Sequence, residues 1–238
     1  MNIALIGYGK MGKAIEEIAN QRGHQIVARL TSQSELSEIP ENTDVAIEFT
    51  RPESAKKNIS YCIENQIPIV IGTTGWYDEF EAICSKNNAN NNALLYATNF
   101  SVGVNIFFQI NKKLAEIMDQ HKEYALGITE IHHTQKLDAP SGTAITTAQG
   151  ILESSSRFNK WELVNQAKRS NEESIPVFAE RLPDVPGTHI VDYTSDIDTI
   201  ELKHTAHNRK GFALGSVLAA EFIKDKQGVF TMNDVLNL

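Results

Sequence analysis

The sequence predicts an α/β protein in two parts: a helix-covered parallel sheet at the N-terminus, then an α+β unit with an antiparallel sheet. Three observations lead there. Over the first hundred residues, short apolar runs without polar alternation take turns with amphipathic stretches, the pattern of strands buried on both faces and joined by helices. A glycine-rich turn closes the first apolar run. Beyond Val102 the rhythm changes to one long helix and then strands separated by short turns, which favours antiparallel pairing. A chain of 238 residues can form two cores.

The elements follow in order. Ile3–Ile6 is a continuous apolar run that ends at Gly7. Met11, Ile15, Ile18 and Ala19 then recur on one face of a helix. Gln25–Leu30 and Val45–Phe49 are the next predicted strands, and Pro52 suits the first turn of a helix with its body at Glu53–Glu64. A strand over Ile67–Ile71, a helix over Trp76–Asn88 and a strand over Ala93–Ala97 complete the first part, with Asn87–Asn92 as a solvated loop. The second part opens with a helix near Val104–Gln120, a strand over Tyr124–His133 and a helix over Ser141–Ser154. Val185-Pro186-Gly187-Thr188 is a turn signal, followed by two strands, His189–Thr194 and Thr199–Thr205. The apolar stretch Phe212–Lys224 is helical, and Thr231 with Asp234 can cap a short terminal helix. These last helices are expected to rejoin the first part, giving one domain of residues 1–102 plus 212–238 and another of 103–211.

Charge and composition exclude several classes of partner. The net charge is −8, so nucleic acid and anionic membranes are repelled, and an anionic ligand needs local positive groups. No apolar run reaches the ~18 residues of a membrane span. The N-terminus lacks the basic flank and apolar length of a signal peptide. Cys62 and Cys84 form neither a disulfide framework nor a CxxC metal motif. A cytoplasmic protein with reduced thiols is expected.

Gly7-Tyr8-Gly9-Lys10-Met11-Gly12 matches GxGxxG, placed after a buried strand and at the opening of an amphipathic helix. That is the dinucleotide-binding fingerprint of a Rossmann-like domain. Gly7 makes the tight turn, Gly9 lets the backbone approach a pyrophosphate, and Gly12 permits close helix–strand packing. The helix start offers unpaired N–H groups to the phosphates. An acid at the end of the second strand would hold a ribose 2′-hydroxyl, but the sequence there is Ala28-Arg29-Leu30-Thr31-Ser32. A missing carboxylate, with Thr31, Ser32 and Arg29 nearby, leans toward NADPH and leaves NADH open. Gly72-Thr73-Thr74-Gly75 forms a turn at a strand's carboxyl end, where open sheets bind ligands.

The second constellation runs from Glu130 through His132-His133 and Lys136 to Ser141-Gly142-Thr143. Adjacent strand residues point to opposite faces, so His132 and His133 do different jobs while the strand is regular. Ser141 can cap a helix whose first N–H groups, with Lys136, form a receptor for a carboxylate. A histidine beside it can donate a proton near neutrality. No metal site is expected, because adjacent histidines diverge and no acid or thiol is seen to complete one.

With Glu48-Phe49-Thr50-Arg51-Pro52-Glu53, Ala97-Thr98-Asn99-Phe100-Ser101-Val102-Gly103-Val104-Asn105, Val185-Pro186-Gly187-Thr188 and the string His-His-x-x-Lys-x-Asp-Ala-Pro-Ser-Gly-Thr, the chain resembles the 4-hydroxy-tetrahydrodipicolinate reductase family along most of its length. The resemblance implies reduction of 4-hydroxy-tetrahydrodipicolinate, a dicarboxylic cyclic imine, with NADH or NADPH in diaminopimelate and lysine biosynthesis. It implies that His132 is the general acid, that Lys136 binds substrate and assists, and that His133, Ser141, Gly142 and Thr143 hold a substrate carboxylate. Gly72, Thr73, Thr74, Asn99 and Phe100 would lie beside the nicotinamide, with Phe49 and Arg51 near the rest of the cofactor and Gly7, Gly9, Lys10, Met11, Gly12 and Thr31 around its phosphates and ribose. A homotetramer built through the second domain's sheet is implied too. The segment between Ser154 and Gly187 is shorter than in longer members, and Trp161–Ser174 matches them poorly. The competing readings are another two-domain NAD(P)-dependent dehydrogenase and a non-catalytic nucleotide-sensing regulator.

Overall fold

A computed structural model describes residues 1–170, 173–208 and 210–238. The chain divides into two compact units, one of Met1–Val102 with Arg209–Leu238 and one of Gly103–Asn208.

The first unit begins with β1 (Asn2–Ile6), α1 (Lys10–Gln21), β2 (Gln25–Leu30), β3 (Val45–Glu48), α2 (Pro52–Glu64), β4 (Ile69–Ile71), α3 (Phe80–Ala89) and β5 (Ala93–Tyr96). Along β1, Ile3 and Leu5 enter a core with Ile15 and Ala19 of α1, while Ala4 and Ile6 enter another with Ile59 and Ile63 of α2. Both faces of the sheet are covered, which is why its strands carry no polar alternation. Helix α3 starts later than expected. Trp76 is fully buried in an aromatic cluster with Tyr77, Phe80 and Tyr96, and its indole N–H donates to the Thr73 carbonyl at 2.9 Å. It anchors a loop and a 3-10 turn, Tyr77–Glu79, ahead of the helix.

The second unit contains α4 (Val102–Met118, its first residue at the boundary), β6 (Ala125–His132), α5 (Gly142–Ser154), β7 (Lys160–Val164), β8 (Ser174–Arg181), β9 (Gly187–Thr194) and β10 (Thr199–Ala206). Its sheet runs in the order β10-β9-β6-β8-β7. Strands β9 and β10 pair antiparallel as predicted, and β6 pairs antiparallel with β9, but β8 joins β6 in parallel and β7 joins β8 in parallel. The expected antiparallel sheet is therefore mixed. Both extra strands lie between Ser154 and Gly187, where the sequence predicts no element. There β7 is an edge strand with no buried residue, and β8 carries Pro176, so neither shows the apolar pattern or the proline-free run that marks a strand. One face of the sheet, with Leu126, Ile128, Ile175, Val177, Val191 and Tyr193, packs on Phe107, Ala115 and Met118 of α4 and on Ala144, Ala148 and Ile151 of α5.

The chain then returns to the first unit as α6 (Lys210–Ile223), β11 (Gly228–Phe230) and α7 (Met232–Leu236). Val217 and Ala220 of α6 join the core under α1, and Thr231 and Asp234 form the capping box of α7. Unpredicted β11 adds to β5, completing a six-stranded parallel sheet in the order β11-β5-β4-β3-β1-β2. Among the described residues no helix is long and apolar enough to cross a membrane.

Candidate functional site

Each unit holds one candidate site. In the first, the loops after β1, β2 and β3 enclose a cavity of about 660 Å³ lined by Gly7, Gly9, Thr31, Phe49 and Arg51, among others, a size suited to a small-molecule ligand. Gly7 has φ +100°, and a Cβ there would stand 2.0 Å from the Phe49 carbonyl oxygen. A Cβ on Gly12 would stand 2.5 Å from the Gly7 oxygen. Both positions demand glycine. A Cβ on Gly9 would meet no protein atom within 4 Å, so its missing side chain leaves room beside the cavity rather than relieving a clash. Gly9 N-caps α1 without a side-chain hydrogen bond, and no acid sits in the first helical turn. An open helix start with open space beside it fits an anionic phosphate group.

Other predicted cofactor residues fall outside that cavity's lining. Lys10, Met11 and Gly12 form the first turn of α1. Gly72, Thr73 and Thr74 follow β4, and Asn99 and Phe100 follow β5, at the carboxyl ends of neighbouring strands. The loops are tied together: Thr50 N–H donates to Thr73 Oγ1 at 2.7 Å, and the Phe49 and Phe100 ring centroids lie 5.7 Å apart. A Cβ on Gly72 would lie 2.2 Å from the Phe49 ring. Beneath them, fully buried Glu48 accepts from the Thr50 hydroxyl and from Asn58 at 3.2 Å, and burial pushes its carboxyl up.

Arg29 does not reach the cavity as expected. Its guanidinium pairs with Glu16 of α1 and lies 5.9 Å from the Tyr8 ring centroid, and the Tyr8 hydroxyl also donates to Glu16. The cations on the cavity wall are Arg51 and Lys57, beside the hydroxyls of Thr31, Ser32 and Ser34. Neither Arg51 nor Lys57 makes an ion pair among the described residues.

In the second unit, the inner face of the sheet changes character along β6. Leu126 and Ile128 enter the core, and the next two residues on that face are Glu130 and His132. Strand pairing sets Arg181 opposite His132, His189 opposite Glu130, and His204 opposite His189. The apolar face thus ends in a row of ionisable groups. Glu130 is fully buried. Its Oε2 contacts His132 Nδ1, while Oε1 accepts from Arg181 Nη2 at 3.0 Å and from the Ser141 backbone N–H at 3.1 Å. Burial alone would raise the Glu130 carboxyl, but His132, Arg181 and Ser141 together outweigh it and hold it at about 2. Burial, with His132 nearby, pushes His189 down to about 3, so that ring is neutral.

Ser141 is the N-cap of α5, and its hydroxyl accepts from the Ala144 N–H at 3.2 Å. Its expected ligand role then falls to the helix start, where Gly142 is exposed and a Cβ on it would meet nothing within 4 Å. Thr143 follows, half-buried. Lys136 pairs with exposed Asp138 at 2.7 Å. His133, the residue after β6, keeps a buried Nδ1 without a hydrogen-bonding partner among the described residues. The expectation that no acid approaches the histidines is corrected: Glu130, His132 and His189 bring ligand-type atoms within 4.8 Å of one another. The Arg181 guanidinium already sits on the same carboxylate, and that cation opposes a metal ion there.

Residues 1–100 match the family pattern described as dihydrodipicolinate reductase, N-terminus, and residues 103–236 match the one described as its C-terminus. The chain belongs to the dihydrodipicolinate reductase family. A 4-hydroxy-tetrahydrodipicolinate reductase of Christiangramia forsetii is 52% identical over 241 residues, covering 100% of this chain and 98% of its own. One of Rickettsia bellii is 36% identical over 240 residues, covering 98% and 94%. A dihydrodipicolinate reductase from Paenisporosarcina sp. TG-14, solved with dipicolinate bound, has a TM-score of 0.77 at 25% identity over 98% of both chains.

For a family member, three residues of the second unit were missed as site candidates. Glu130 was within reach, since it precedes His132 by two positions and shares its face. Arg181 and His189 gave no such signal, because only strand pairing brings them to His132.

Proposed function

We propose that this chain reduces 4-hydroxy-tetrahydrodipicolinate to tetrahydrodipicolinate, using NAD(P)H with a preference for NADPH, in diaminopimelate and lysine biosynthesis. The observation that carries this reading is His132, buried at the end of a sheet face beside an open, serine-capped helix start. A proton donor and a receptor for a carboxylate, both held by Glu130, support this reading. The Paenisporosarcina relative, with its bound dipicolinate, takes a ring diacid of the same kind.

The bound nicotinamide supplies the hydride, and substrate, NAD(P)H and a proton become tetrahydrodipicolinate, NAD(P)⁺ and water. Gly7, Gly9 and the first turn of α1 (Lys10, Met11, Gly12) receive the pyrophosphate. Thr31, Ser32, Arg51 and Lys57 receive a ribose 2′-phosphate, which no carboxylate at the end of β2 repels. Phe49, Gly72, Thr73, Thr74, Asn99 and Phe100 shape the wall for the nicotinamide. In the second unit, Gly142, Thr143, His133 and the Ser141 cap hold one carboxylate through N–H groups and the helix start. Lys136 exchanges Asp138 for a substrate carboxylate, and fixed donors of this kind also stabilise charge that develops in the transition state. His132 gives its proton to the ring carbon that gains electron density after hydride arrives.

The test is loss of reduced-nicotinamide absorbance when the condensation product of aspartate semialdehyde and pyruvate is added. Oxidation of NADPH faster than of NADH supports the reading; no oxidation of either refutes it. We assign the protein to the cytoplasm and to a homotetramer formed through the second unit's sheet. Its edge strand β10 leaves Thr199, Ile200, Glu201 and Lys203 exposed, and open edges are commonly covered by symmetric assembly. A monomer in sedimentation at micromolar concentration would contradict the tetramer.

A further inference from the structure

Taking His132 as the proton donor proposed above, we infer that Glu130 is the positioning residue of that site. One buried carboxylate sets the tautomer and orientation of His132 through one oxygen, and through the other it holds the start of α5 and, by way of Arg181, the loop that carries Lys136.

The two oxygens do separate work. Oε2 contacts His132 Nδ1. Oε1 accepts from the Ser141 N–H at 3.1 Å and Arg181 Nη2 at 3.0 Å. Arg181 in turn donates from Nη2 to the Asp138 carbonyl at 2.7 Å and from Nε to the Lys136 carbonyl at 3.4 Å. Proton donor, helix start and lysine loop thus share one anchor. A carboxylate with no exposed surface is costly unless paired. Its contacts keep it charged well below neutrality, at about 2.

A permanent anion at Nδ1 decides which nitrogen works. Nδ1 keeps its hydrogen in both charge states of the ring, so the exchangeable proton resides on Nε2. Beside Nε2 stands Gly187, where a Cβ would lie 3.0 Å away; a bare backbone leaves that edge clear. In the transfer, the Nε2–H bond breaks and a C–H bond forms with the substrate's electron pair. The ring is left neutral with Nδ1–H facing Glu130, and solvent restores the Nε2 proton. Glu130 itself stays ionised throughout.

The other groups around His132 do not replace Glu130. Arg181 on β8 is a cation and favours the neutral ring. His189 on β9, with its ring centroid 5.1 Å away, is itself neutral, and burial also lowers His204 beyond it on β10. Lys136 is paired with Asp138. Among the described residues, Glu130 is therefore the anion in direct contact with the ring.

The test combines Glu130→Gln and Glu130→Asp with nitrogen-15 NMR of the histidines in the chain without ligands. E130Q should lower kcat by ~10²-fold, the scale of losing a correctly held acid. The alkaline limb of its kcat profile should move to lower pH, because the anion that favours the charged ring is gone. E130D should recover part of both. A carboxylate serving structure alone would lower Tm or raise KM without moving the limb, and that result overturns the inference. Should E130Q fail to fold, the wild-type spectrum decides: neutral His132 must carry its hydrogen on Nδ1, and finding it on Nε2 overturns the inference. The two levels fail differently. A wild-type chain that leaves the substrate unreduced, or a His132→Gln variant at full rate, sinks the proposed reaction, while the NMR result still judges the Glu130–His132 link.

Discussion

The two units build their candidate sites from different material. The first uses backbone: glycines at strand ends, an uncapped helix start and a cavity between loops. The second uses ionisable side chains gathered on one sheet face, Glu130, His132, Arg181 and His189, each set there by strand register. A backbone site is sensitive to an added Cβ and forgiving of side-chain charge. A side-chain site is the reverse: volume matters less than which groups ionise and what they touch.

The largest effect that can break this contrast lies in the second unit. His132→Gln keeps a hydrogen-bonding side chain of similar length yet should reduce turnover by ~10²–10⁴-fold, the usual worth of a positioned acid, in steady-state assays. Unchanged turnover would remove the side-chain half of the comparison. Next comes the first unit. Gly7→Ala forces a Cβ to within 2.0 Å of the Phe49 oxygen at φ +100°, and should destabilise the fold by about 3 kcal/mol in denaturant unfolding. Gly9→Ala, with open space around it, should leave stability within about 0.5 kcal/mol and weaken NADPH binding in calorimetry. If both glycine variants unfold alike, the distinction between packing glycine and ligand glycine is wrong.

A third effect is pH-dependent. His189 is lowered from 6.5 to about 3 by burial. The unfolded chain therefore takes up a proton that the folded chain refuses. The stability contributed is complete above pH 6.5 and is lost as pH falls toward 3, roughly 2 kcal/mol by pH 5. Glu130, held at about 2, adds its own loss below about pH 4.5. Melting curves at pH 7 and pH 5 should show a drop that His189→Leu flattens. The smallest effect sharpens the cofactor reading: Lys57→Ala should weaken NADPH about tenfold, as loss of one charge-assisted phosphate contact would, and leave NADH nearly unchanged. Equal losses for both cofactors would move Lys57 away from the 2′-phosphate.

The first unit was legible because its signals are local. Gly7, Gly9 and Gly12 occupy one turn, and the apolar runs that became β1 to β5 each lie within a few residues of where they were read. Arg29 shows the limit. Its nearness to Thr31 in sequence suggested a phosphate contact, yet Glu16 from the neighbouring helix takes it. In the second unit, Ser141 could be recognised as a helix cap and the His132–Lys136 spacing as a loop-end cluster. Strands β7 and β8 could not be seen, since an exposed edge strand and a proline-containing strand show no periodic apolar face.

By itself, then, the chain's order of residues determined the glycine turn, the helix starts, the parallel sheet and the string that marks the family, because each depends on contacts within a few positions. Tertiary structure alone decided what surrounds His132. Arg181 and His189 lie 49 and 57 positions away in sequence and arrive only when β8 and β9 pair with β6. Charge interactions act through space rather than along the chain, so the state of a buried ring or carboxylate exists only once the fold has chosen its neighbours.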